Sequence, residues 1–173
     1  MAGQTSLTEL FERHLLYEVW MLFETRTRLI AGVEDVVLRN ALIESFCIHA
    51  RSLIDFFNDR KGAKASDFTK PTYAPFPNEQ IADALVTKLS TQIAHLTLNR
   101  TADPQKKIDH SAREELTTKL AAELVNFLAN LKPEYRALWP SSLRIPNSSP
   151  PAAGVACVTS APTATNVMTI TST

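Results

Sequence analysis

The sequence predicts an all-α protein, a four-helix (up to five-helix) bundle followed by a disordered C-terminal tail. Three observations carry this. Glycine is scarce, with 4 in 173 residues, whereas an all-β chain needs many glycine-bearing turns. Long stretches free of proline and glycine repeat apolar residues at the helical spacing. Two Ser-x-x-Glu capping boxes, Ser6 with Glu9 and Ser111 with Glu114, mark helix starts. The length suits one domain with a real core, and 45% apolar with 21% charged residues is ordinary for a soluble chain. We divide it into a helical body, residues 1–140, and a low-complexity tail, residues 141–173.

The first helix is expected from Leu7 to about Ile30, stopped by Gly32, with Leu7, Leu10, Phe11, Tyr17, Met21, Leu22 and Leu29 on its core face. The second runs from about Glu34 to Phe57. Its face Ile43, Phe46, Ala50, Leu53, Ile54 and Phe57 is extended by Leu42, Ile48 and Phe56, so this helix is expected at the centre. Asn58 to Asn78 reads as a long connection with Pro71, Pro75 and Pro77. Its aromatics, Phe68, Tyr73 and Phe76, are expected to pack over a bundle end, with one helical turn near Ser66–Phe68. The third helix spans about Glu79 to Arg100 on the stripe Ile81, Leu85, Leu89, Ile93 and Leu96. The fourth opens at Ser111, buries Leu116, Leu120, Leu124, Phe127, Leu128 and Leu131, and is limited by Pro133. After Arg144 no charged side chain remains, and the Thr-, Ser-, Ala- and Pro-rich end cannot bury enough apolar area to offset its ordering entropy.

Composition excludes several functions. Eighteen basic residues balance 18 acidic ones, which argues against a broadly basic nucleic-acid surface. Cys47 and Cys157 form neither a disulfide framework nor a CxxC pair. No stretch reaches the roughly 20 apolar residues that span a bilayer, and no secretory signal is evident, so no membrane association and a cytoplasmic location are expected. There is no phosphate-cradling glycine loop, Gly-x-Ser-x-Gly elbow or His-Glu-x-x-His motif. Di-iron bundles use Glu-x-x-His; no such spacing occurs, so neither a metal nor another cofactor is expected.

The informative residues are polar ones on apolar helix faces. His14 and Glu18 are spaced to share a face of the first helix and to hydrogen-bond one another. Glu44, Arg51 and Asp55 make a narrow stripe on the second, with Arg51 and Asp55 placed for an ion pair; its plainest reading is a solvated edge, its sharper one an interhelical ion network or the floor of a cleft. His49 reads as a half-buried histidine at the core edge. On the third helix Lys88, Gln92, His95 and Asn99 form a polar flank that Arg100 closes. The candidate cluster is therefore Glu18, Glu44, His49, Arg51, Asp55, His95 and Arg100, with no catalytic residue assigned.

Residues 40–57, NALIESFCIHARSLIDFF, followed by residues 88–97, KLSTQIAHLT, resemble a group of small uncharacterised bacterial helical proteins. These are similar to the HEPN-like helical bundles, a superfamily that includes toxin-type RNases and nucleotide-binding modules. The resemblance implies a helical-bundle fold over roughly residues 7–131, and matches Glu44, His49, Arg51, Asp55 and His95 to positions of the group. The active RNases of that superfamily carry an Arg followed four to six residues later by His, and no histidine here has an arginine at that offset. The resemblance thus implies the fold without the RNase activity. Two functions compete. One is a non-catalytic interaction module, a possible homodimer whose register the Glu44–Arg51–Asp55 stripe fixes. The other is a nucleotide- or RNA-binding or processing domain, with His95 as acid–base group and Arg51 and Arg100 as anion contacts.

Overall fold

A computed structural model describes residues 6–60, 62–76, 81, 83–90 and 108–146. Among these the chain is all-α. Helix α1 runs through α-helical Leu7–Glu9, a π-helical turn Leu10–Leu15, and α-helical Leu16–Ala31; α2 is Val36–Phe57; α3 is the short Ala65–Phe68; α4 is Asp83–Leu89; α5 is His110–Asn130; and α6 is the short Pro133–Arg136. The most extensive packing joins α1 to α2 as an antiparallel hairpin, with α5 against both and α4 against α2. Helix α2 is central, as its apolar circumference predicts.

Local chemistry sets the helix ends. The Ser6 hydroxyl accepts the Glu9 amide hydrogen at 3.1 Å, as the first capping box predicts. Gly32 ends α1 with φ +89°, a conformation that costs any residue with a Cβ. Asp35 opens α2 by accepting from the Leu38 amide at 2.8 Å. The fourth predicted start is corrected. Asp109, not Ser111, caps α5, accepting from the Ala112 amide at 2.8 Å, and a carboxylate there also meets the positive end of the dipole. Glu114 is instead drawn to Arg26, which donates through Nε to Oε1 at 3.0 Å and through its terminal nitrogen to Oε2 at 2.6 Å.

The expected core face of α1 is also corrected. Phe11, Leu15, Val19, Leu22 and Phe23 are buried, while Leu7 and Tyr17 are exposed. The cause is the π turn, in which the Leu16 amide reaches back to the Phe11 carbonyl. One extra residue is accommodated there, so the apolar stripe changes phase along the helix. On α2, Phe46, Ala50, Leu53, Ile54, Phe56 and Phe57 are buried as expected, but Ile48 is 54% exposed because no described element covers its side.

The long connection closes one end of the bundle, as its aromatics predict. After α3, Thr69 bridges Leu131, the Lys70 amide donates to the Asn130 carbonyl at 2.9 Å, and the Lys132 amide donates to the Phe68 carbonyl at 3.0 Å. Phe68, Tyr73 and Phe76 are buried beneath this strap. A continuous set of ring contacts follows: Phe11 lies against Phe68, Tyr135 and Trp139, and Phe127 touches Phe56, Phe57 and Tyr73, all with centroids 5.5–6.3 Å apart. Such pairs add about 0.5–1.5 kcal/mol each beyond area burial. Packing runs past the expected body boundary, since Leu143 lies on the core and Ile145 is buried. The third predicted helix is represented by α4, with Ile81, Leu85 and Leu89 buried; Ile93, Leu96 and the tail from residue 147 lie outside the described residues.

The other end is different. From Thr27 to Ser45 no residue is buried. Among the described residues the α1–α2 hairpin has little cover there: Ile30, Val36, Val37 and Leu38 are between 52% and 78% exposed, and Ile43 is only partly buried against the core.

Candidate functional site

Helix α2 presents its polar residues in two directions. His49 faces α1, and its Nδ1 lies 2.8 Å from Glu18 Oε2. The imidazole is buried and the Tyr17 ring stands edge-on to it, centroids 5.5 Å apart. Pairing Glu18 with His14 is therefore a correction: His14 is exposed, because across the π turn a separation of four residues no longer completes a turn. His49 is more deeply buried than a core-edge position suggests.

Arg51 and Asp55 face the other way, since two residues turn an α-helix through about 200°. Arg51 Nε donates to Asp55 Oδ2 at 3.1 Å, and a terminal nitrogen donates to Ser90 Oγ at 2.9 Å. Ser90 Oγ donates in turn to the Val86 carbonyl at 3.2 Å. Arg51 and Asp55 make the i,i+4 ion pair within α2, and the Arg51–Ser90 hydrogen bond ties α2 to the end of α4. Glu44 stands apart and exposed. His95 and Arg100, with Gln92 and Asn99, lie outside the described residues. The candidate cluster thus separates into a Glu18–His49 pair, an Arg51–Asp55–Ser90 tie and an isolated Glu44.

Two clefts lined by described residues lie elsewhere. One, of 170 Å³, is lined by Arg26, Thr117, Ala121, Val125 and Pro146, and another by Leu128, Arg136, Trp139 and Arg144 among others. Neither includes Glu18, His49, Arg51 or Asp55. Among the described residues no three His, Cys, Asp or Glu side chains converge as a metal set.

Two polar pairs escape the sequence reading. Glu123 is 5% exposed on the core side of α5. It accepts from the Tyr73 hydroxyl at 2.6 Å and from Asn126 Nδ2 at 3.3 Å. Burial raises its pKa, against the lowering effect of those two hydrogen bonds. The Tyr73 hydroxyl is raised as well, first by burial and then by Glu123. A signal existed: Glu123 falls inside the apolar spacing Leu116, Leu120, Leu124 and Phe127. The second pair, Arg26–Glu114, joins residues far apart in sequence and has no local signal. The Arg26 hydrogen bond holds the Glu114 carboxyl below the usual carboxylate range. Burial pushes the Cys47 thiol up to about 12, which makes it a small core residue and not a nucleophile.

What the Glu18–His49 pair can do chemically is limited but definite. A carboxylate on Nδ1 fixes the ring orientation and directs Nε2 as the proton-exchanging atom. Comparison with known protein families, with characterised proteins and with solved structures finds no match for the chain. No helix among the described residues is long and apolar enough to cross a membrane.

Proposed function

We propose that the protein is a helical interaction module whose partner-binding element is the arm formed by the sparsely covered end of the α1–α2 hairpin. The observation that carries this is the unburied run from Thr27 to Ser45. Within it Val36, Val37 and Leu38 are consecutive, so they cover about 200° of the first turn of α2, which Arg39 completes. Contiguous exposed apolar surface marks an association site. Farther down the same hairpin Tyr17 and Trp20 are each 48% exposed, with ring centroids 6.2 Å apart. A second copy of the chain is the partner to test first, since homodimers are the commonest soluble assemblies. In this reading Glu44, the exposed member of the stripe, fixes register, while Arg51 and Asp55 hold α4.

Sedimentation velocity at micromolar concentration tests it. The wild type is expected to be dimeric and the Val37→Glu variant monomeric with the helical content of the wild type by circular dichroism. A wild type that remains monomeric and forms no cross-linked dimer through the arm overturns the homodimer.

A second reading, a domain acting on nucleotide or RNA, is favoured by the carboxylate-oriented imidazole of His49. It expects phosphate, nucleotide or RNA to raise the melting temperature, and His49→Ala to remove the shift. No shift with any of the three removes this reading.

A further inference from the structure

The strap between α3 and α4 has a construction that the interaction reading leaves unused. Its first anchor is backbone pairing of residues 68–70 with 130–132, and its last is the Phe76 amide donating to the Phe57 carbonyl at 3.1 Å. Between them Pro71 and Pro75 have no amide hydrogen to offer. The middle of the strap is therefore held to α5 by side chains: the 2.6 Å bond from Tyr73 to Glu123, and a longer 3.4 Å contact from Thr72 to Asn130. Beneath lie the Phe57, Phe76 and Phe127 rings, which the strap screens from water.

The acceptor of that central bond is a buried carboxyl with no cation beside it among the described residues. The groups facing it are Tyr73 from the strap and Asn126 from its own helix. Asp59, at the end of α2, acts on Tyr73 and adds negative charge. Lys119, one turn earlier on α5, is committed to Glu115 at 2.7 Å. Two effects then oppose one another when Glu123 ionises. A phenol-to-carboxylate bond is stronger than its neutral counterpart, but a buried charge without a counter-ion loses hydration worth more than one hydrogen bond recovers.

We propose that the strap is a proton-controlled latch, closed over the aromatic end when Glu123 is protonated and released when Glu123 ionises. Opening the strap returns the carboxylate to water, so proton binding and closure are linked. The raised pKa of Glu123 agrees in direction: the closed form binds the proton more tightly and loses stability as pH rises through that raised value.

The test is hydrogen exchange at the Tyr73 and Phe76 amides, which close the turn at Lys70 and bond Phe57, followed from below the ordinary glutamate pKa into the alkaline range with intrinsic rates divided out. Wild-type protection is expected to fall with rising pH, by about tenfold for each pKa unit by which closure raises Glu123. In Glu123→Gln protection is expected to stay high and flat. A flat wild-type profile, or the same slope in Glu123→Gln, overturns the latch. If that variant does not fold, the wild-type Glu123 carboxyl carbon decides by NMR: titration above the usual glutamate range sustains the latch, and titration within it overturns it.

Discussion

The two ends of the bundle solve the same problem in opposite ways. At one end a proline-stiffened strap and the short helix α6 cover a connected set of aromatic rings, including Phe11, Phe68 and Phe127, each fully buried. At the other, among the described residues, the α1–α2 hairpin has nothing fully buried from Thr27 to Ser45. The chain commits its large rings where its own loops return to cover them, and places branched aliphatic residues where no described element does. The difference teaches that, among the described residues, burial is concentrated at the covered end, whereas the open end adds little to it.

Mutations should separate the two ends. The largest effect is expected from Phe127→Ala, which removes a ring that contacts Phe56, Phe57 and Tyr73; chemical denaturation should show a loss of about 3–5 kcal/mol. Next comes Arg26→Gln, which breaks the bidentate pair to Glu114. The Glu114 pKa is lowered in the fold, so the pair's contribution is present above the ordinary glutamate pKa and is lost as pH falls through the lowered value. Arg26→Gln should therefore reduce the melting temperature at neutral pH and converge with wild type in acid. The smallest change in stability is expected at the open end, where Val37→Glu should alter the unfolding free energy of the monomer, measured at concentrations below dimerisation, by less than about 0.5 kcal/mol while abolishing dimers in sedimentation. A substantial destabilisation there would mean that the arm is packed after all. Cys47 gives a check on the interior: in a Cys157→Ser background, alkylation at neutral pH should require unfolding, because burial holds its thiol near 12.

Much of the fold was legible residue by residue. Ser6, Gly32 and the apolar face of α2 announce their roles because caps and amphipathic period are local properties. The buried aromatics of the connection were legible too, since Phe68, Tyr73 and Phe76 have no other means of leaving water. The face of α1 was misread because a π turn changes the period that the reading assumes, and the same turn separated His14 from Glu18. The site was less legible than the fold. Arg51–Asp55 is an i,i+4 pair visible in sequence, whereas Glu18–His49, Arg26–Glu114 and Tyr73–Glu123 link segments whose meeting depends on tertiary packing. Of these, Glu18 and His49 stood out singly as polar residues on apolar faces, and Glu123 carried a signal that went unread, a carboxylate inside a leucine spacing.

The π turn has one more consequence. It works as a phase shifter inserted into a single helix: residues before Leu10 and after Leu15 obey the same period but start it from different angles. The N-terminal turn, and Phe11 with it, is thereby aimed at Phe68 and Trp139, while the rest of α1 remains aligned with α2. Removing one residue from the turn, such as the exposed Arg13, would convert it to ordinary α-helix while leaving the faces upstream and downstream of it in their present relation. One extra amino acid is thus absorbed within this six-residue stretch, and neither flank of α1 has to turn to make room for it.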